Sequence, residues 1–145
     1  MRNIAELRQA MASSAADQVF MKLYGETKTS KERYLKLIDQ FAVDFPDKTE
    51  VSVYSTPGRT EVGGNHTDHN AGRVLAGAVD LDVISFAAKQ EGAITIHSEG
   101  YDPFTVALDD LQMRPEEIGT SVSIVRGVCA RFVQLGYQIG GFCAS

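Results

Sequence analysis

Pro57-Gly58-Arg59-Thr60-Glu61-Val62-Gly63-Gly64-Asn65-His66-Thr67-Asp68-His69-Asn70-Ala71-Gly72 is the stretch that decides how this chain is read, and it follows directly on a short strand-like run. It carries two of the protein's three histidines, an arginine, the carboxylates of Glu61 and Asp68, and glycines that let a backbone approach a bound molecule closely. Packing alone rarely needs histidine, threonine and aspartate side by side. Such a mixture on a connecting segment reads as a recognition corner held by the apolar elements around it.

Upstream, Ile4, Leu7, Met11, Val19, Phe20, Leu23 and Tyr24 recur at three- and four-residue spacing, which predicts one helix ending near Gly25. Thr29 with Glu32 reads as a capping box. Behind it Tyr34, Leu37, Ile38, Phe41 and Phe45 form the apolar stripe of a second helix, stopped by Pro46. Val51 to Ser55 alternates as a half-buried strand, after which the polar corner begins at once.

Downstream, Val74 to Lys89 is largely apolar, and its Val83 to Ala88 portion predicts a strand covered on both faces. Ile94 to His97 and Phe104 to Leu108 alternate as two further strands around the turn Glu99 to Pro103. A helix capped at Thr120 or Ser121 carries Val122, Val125, Cys129, Phe132 and Val133 on one face and closes at Gly136. Tyr137 to Phe142 then opens a strand near Ile139. The expected whole is a single α+β domain over residues 1–145, helices on a mostly antiparallel mixed sheet that is left incomplete at its C-terminal edge.

A chain of 145 residues fits one domain, which buries roughly 70% of the surface its unfolded form exposes. With 43% apolar and 23% charged residues it has the composition of an ordinary globule. A net charge of −5, without basic clusters interleaved with aromatics, argues against nucleic acid. No apolar run approaches the roughly 18 residues of a membrane span, and no secretory layout opens the chain. Cys129 and Cys143 are too few for a disulfide framework and lack metal-site spacing, so reduced thiols in the cytoplasm are expected. A Cys143 thiol exposed near the chain end could pair two copies, and an unpaired strand edge near Ile139 would favour self-association.

Pro57, Gly58, Arg59, Gly64, His66, Thr67, Asp68, Asn70, Gly72, Val74 and Leu75 fall at the offsets of the sugar-binding signature of galactokinases, and the window 57–75 resembles that signature closely. The resemblance runs more weakly over the whole chain, through the helix end before Gly25 and the Arg126-Gly127-Val128 helix leading to Gly140-Gly141-Phe142. It implies the N-terminal portion of a GHMP-kinase domain, similar to the ribosomal protein S5 domain 2-like fold. It also implies a parent enzyme that transfers the γ-phosphoryl group of ATP, with Mg2+, to the anomeric hydroxyl of galactose.

Carried over residue by residue, Asp68 would accept hydrogen bonds from galactose hydroxyls, with His66 beside it. Arg59 would face the reaction centre, where a permanently charged planar guanidinium suits a transferring phosphoryl group. The expected sugar-binding set is Glu61, Gly64, Asn65, His66, Asp68 and His69. Independently of any family, a short carboxylate on a glycine-rich loop suits adjacent hydroxyls. Asn65 stands where these kinases usually have Glu, Glu61 where they have Asn, and His69 where they have Tyr. An amide donates as well as accepts, and His69 puts an imidazole where a phenol would stand, so epimer preference could shift.

Other roles stay open: a surface ion pair for Arg59, and an Asx turn or helix N-cap for Asp68. His66-Thr67-Asp68-His69 falls short of the His-x-His-x-Asp-His zinc pattern, because Gly64 stands where the first histidine would be and only His97 remains. No metal is expected in this chain. These 145 residues also hold no Gly-Leu-Ser-Ser-Ser-type phosphate loop and no base aspartate of the family kind, so the expectation is sugar recognition without phosphoryl transfer. A stand-alone sugar-binding or regulatory module is the alternative, and such a module would be expected to close its sheet after Phe142.

Overall fold

The computed structural model describes residues 1–64 and 67–145, the Asp68 side chain excepted. A two-residue strand β1 (Arg2–Asn3) leads into helices α1 (Ile4–Ala12), α2 (Asp17–Tyr24) and α3 (Lys28–Asp44). The long strands β2 (Glu50–Gly63) and β3 (Leu75–Gln90) follow, then β4 (Ala93–Ile96), β5 (Phe104–Ala107), α4 (Ser121–Gln134) and β6 (Gly141–Ala144). The six strands form one sheet in the order β1-β2-β3-β6-β4-β5, antiparallel throughout except for the β4–β6 pair. This is the expected α+β mixed sheet.

The main core lies between the first three helices and β2, β3 and β6, around Phe20, Tyr34, Ile38, Phe41, Phe45, Val51, Phe86 and Cys143. The α3 stripe is the predicted one, and the helix ends at Asp44 ahead of Pro46. Its start differs from the expected Thr29–Glu32 box. Glu26 caps it instead: its carboxylate accepts from Thr29 N (2.9 Å), Ser30 N (2.7 Å) and the Ser30 hydroxyl, and those bonds, Ser30's first, lower its pKa. The single first helix is two. Ser13 leaves helical geometry at ψ 160° while its backbone N–H and hydroxyl bond back to Gln9 and Ala10, ending α1 before α2 begins.

Three further expectations change. β2 does not stop at Ser55 but runs on to Gly63, so Pro57 to Gly63 is strand and not loop. β3 is covered on one face only. Phe86 is fully buried, whereas Leu81 and Val83 are 77% and 74% exposed, because α1–α3 pack on the side that Phe86 and Ala88 face. On α4 the buried residues are Arg126 and Cys129, and Phe132 and Val133 lie in the open.

The sheet is not open at Ile139. β6 begins at Gly141 and sits between β3 and β4, paired on both sides, and Ser145 continues its ladder against Phe86 in both directions (2.9 and 3.1 Å). A strand with both edges satisfied offers no template for another chain, and Cys143 at its centre is fully buried, so neither expected route to self-association stands. The sheet order ends at the short β1 and β5, and the outer parts of β2 and β3, past their pairing with β1 and β6, each keep one edge without a strand neighbour among the described residues. No described helix is long and apolar enough to cross a membrane.

Candidate functional site

β2 and β3 outrun the rest of the sheet. β1 pairs only with Glu50 and Val51, and β6 only with residues 87–90, so beyond them the two long strands form a projecting two-stranded arm. Arg59 lies on this arm opposite Ala78, and Glu61 opposite Ala76. Two residues apart on one strand, they share a face of the ribbon. Arg59 is exposed and Glu61 half-buried.

The loop that joins the strands is closed by short contacts. Thr67 Oγ1 donates to the Gly64 carbonyl (2.8 Å), and the Thr67 carbonyl accepts from Asn70 N (3.0 Å) and Gly72 N (2.8 Å) around the single turn Asp68–Asn70. Gly64 has φ +103°, and a side chain there would strike the Arg73 carbonyl. A Cβ on Gly72 would overlap the Thr67 side chain. Here the glycines serve the tight closure of the loop itself, a role apart from the close approach to a bound molecule that the sequence suggested. Ala71 between them adopts φ 60°, sparsely used by non-glycine residues and typical of loops held by their function.

His69 is exposed, with Nε2 3.1 Å from the Asn70 side-chain nitrogen, a bond the amide donates when that imidazole nitrogen is unprotonated. Asn65, His66 and the Asp68 side chain lie outside the described residues. Arg59, Glu61, Gly64 and His69 are therefore gathered on one arm and its connecting loop. His97, the remaining histidine, is remote from them: it stacks on Phe45 (4.7 Å) and lies 3.4 Å from Asp44. Among the described residues no three metal-ligating side chains cluster.

At the base of the arm the structure reveals a group that the sequence reading passed over. The Asp82 carboxylate, 7% exposed, accepts from Tyr24 Oη (2.6 Å), Ser55 Oγ (2.6 Å) and Arg33 Nη2 (2.8 Å), and Tyr24 is in turn bonded to Tyr34 Oη (2.6 Å). Burial opposes its charge, but the bonds from Ser55, Tyr24 and Arg33 outweigh that and hold Asp82 below the usual carboxylate range. Burial, then Asp82 and Tyr34, push the Tyr24 phenol upward. The available signal was a pair of aspartates, Asp80 and Asp82, inside an otherwise apolar strand run, with nothing local to tell them apart.

Two concavities lie away from the arm, one of about 480 Å3 between α1, α2 and β2, the other of about 570 Å3 along α4. Neither is lined by residues 57–72. The first is mainly apolar and lacks the convergent polar groups a sugar needs, whereas the second is lined by Arg114, Glu117, Arg126 and Gln134 among others.

The fold and the arm define an α+β unit, three helices on one face of a mixed six-stranded sheet that carries its two longest strands out as a ribbon. A crystal structure of Lactococcus lactis galactokinase complexed with galactose superimposes with a TM-score of 0.55 at 23% identity, over 90% of this chain and 29% of that one, so the two share the fold. The chain is galactokinase-related in sequence as well. A family model described as the galactokinase galactose-binding signature matches residues 39–89. Galactokinase of Lactococcus lactis subsp. cremoris is 27% identical over 107 residues, 71% of this chain and 26% of that protein. Galactokinase of Pyrococcus furiosus is 36% identical over 87 residues, 59% of this chain and 23% of that protein. The chain spans about a quarter of the length of these relatives.

Proposed function

We propose that this chain is the galactose-reading portion of a galactokinase and binds the sugar at the tip of the β2–β3 arm. The observation that carries this is the coincidence of the galactose-binding signature with one continuous arm and loop whose closure requires Gly64 and Gly72. In this reading Asp68 and Asn65 take ring hydroxyls, with His66 and His69 beside them, and Glu61 borders the site from the ribbon. Arg59 is the catalytic contribution, a fixed positive charge for the transferring phosphoryl group. The cytoplasm is the proposed setting.

In a longer enzyme ATP with Mg2+ would supply the phosphoryl group. The described residues do not fit the nucleotide. The N-terminus of α4 is already capped by Thr120, and the charges beside it are engaged with one another, Glu117 accepting from Arg126 (2.7 Å) and lying 3.8 Å from Arg114, so they are not free to cradle a polyphosphate. A polypeptide of these 145 residues therefore binds galactose without turning over ATP. Calorimetric titration to roughly 50 mM galactose, which fills a site of even millimolar Kd, gives saturable heat that Asp68→Ala removes. A flat titration of the folded protein contradicts the reading.

A second reading, a sugar-binding or regulatory module without catalysis, draws on β6 being paired on both sides, so that the sheet closes within the segment. Galactose binding without ADP release in a coupled assay fits either reading. ADP release that Asp68→Ala abolishes would overturn the claim of inactivity in both.

A further inference from the structure

We infer that Asp82 is a positioning residue for the sugar-reading arm, a clamp that fixes the angle at which the arm leaves the sheet. Its functional consequence rests on the proposed galactose binding, though its geometry does not.

A two-stranded ribbon is marginal in water and twists readily. Over the outer arm β2 and β3 have only each other as strand partners. The register also shifts there: Val79, Asp80 and Leu81 stand opposite the single residue Gly58, between the pairs Pro57–Asp82 and Arg59–Ala78. Such a bulge bends a ribbon and re-aims the residues beyond it, here Arg59, Glu61 and the signature loop.

Asp82 is the last regularly paired β3 residue on the sheet side of that bend. Its three donors come from three elements: Tyr24 ends α2, Arg33 lies on α3 and Ser55 on β2. Arg33 also reaches the Asp82 carbonyl at 3.4 Å, and Tyr34 holds the Tyr24 hydroxyl. An apolar side chain of similar size would fill this place at less desolvation cost. It would not supply three directional bonds that fix β3 to β2 and to both helices at the root of the bend.

The lever is long. From Pro57 to Gly63, the strand without the extra residues at the bend, the arm extends roughly 20 Å, so a tilt of about 10° at the base moves the tip by about 3.5 Å. Misplacement by about 1 Å already disrupts a productive arrangement of polar groups.

The test compares Asp82→Asn, Tyr24→Phe and Ser55→Ala with the wild type, and uses Asp39→Asn as a control that removes a carboxylate from the exposed pair with Arg8. Amide hydrogen exchange is read at residues 59–63 and 75–81 and at core positions of α3, alongside galactose titration. The clamp variants are expected to speed exchange in the arm by at least about tenfold while α3 is unchanged, a local opening that a global loss of stability would not produce. Galactose Kd is expected to rise about tenfold at unchanged stoichiometry, and Asp39→Asn to leave both readouts at wild-type values.

If Asp82→Asn fails to fold, the two hydroxyl deletions carry the test, since each removes one donor and leaves the carboxylate in place. Unchanged arm exchange in all clamp variants overturns the clamp. Faster arm exchange with unaltered galactose affinity overturns its positioning role. Wild-type protein that binds no galactose overturns the functional reading alone, and the exchange comparison then still decides the clamp.

Discussion

Gly72 sits where the signature loop returns to the arm, its N–H 2.8 Å from the Thr67 carbonyl. An added methyl group would occupy the space of the Thr67 side chain, so Gly72→Ala must open the loop. The loop contributes little to the main core, so we expect thermal stability to stay within about 1 kcal/mol of wild type while galactose affinity falls at least about tenfold. Thermal melts and calorimetry on one preparation check both halves. Sequence alone marked Gly72 as a signature position and Arg59, Glu61 and Asp68 as candidates, but the Thr67 side chain that requires glycine here became visible only in the fold. Sequence did not expose Asp82, because nothing local distinguishes a buried carboxylate from the solvent-facing Asp80 two positions earlier. Only the approach of Tyr24 and Arg33 from distant helices does.

At the scale of elements, β3 divides into two faces with opposite sensitivities. Phe86→Ala removes a fully buried ring from the contact with Tyr34 and is expected to cost roughly 3–5 kcal/mol, whereas Val83→Ser on the open face should stay within about 0.5 kcal/mol. Urea titrations of the two variants test the contrast. A continuous apolar run cannot itself say which face has a partner, which is why β3 reads in sequence as covered on both sides. Helix stripes were more legible: Tyr34, Ile38, Phe41 and Phe45 follow the helical period and all four are buried. The break at Ser13 was hidden because apolar spacing resumes on either side of it. The insertion of β6 between β3 and β4 was hidden because strand pairing is non-local. β2's extension to Gly63 escaped notice since its proline and glycines resemble loop residues, while the arm's geometry accommodates them.

At the scale of the molecule, several carboxylates work as acceptors: Asp82 with Ser55, Tyr24 and Arg33, Asp44 with Ser145, Gln40 and His97, and Glu117 with Arg126. Each has its pKa lowered on folding; for Asp82 and Asp44 the bonds prevail over burial, and for Glu117 the Arg126 bond is the leading cause. Depressed folded values mean that their stabilisation is fully present above the unfolded values, about 4, and is lost as pH falls through the folded ones. Urea midpoints should therefore hold level from neutral pH to about 5 and fall below about 4, with a shallower fall in Asp82→Asn. The same sheet leaves Tyr54, Leu81 and Val83 exposed, so the helices protect one side of the fold while the arm projects from its end. The central claim is that this arm reads galactose, and a backbone amide NMR titration of the 145-residue protein tests it most directly. Saturable shifts centred on residues 58–74 and absent with Asp68→Ala are predicted. Unshifted spectra at roughly 50 mM galactose, or shifts centred on another surface, would contradict it.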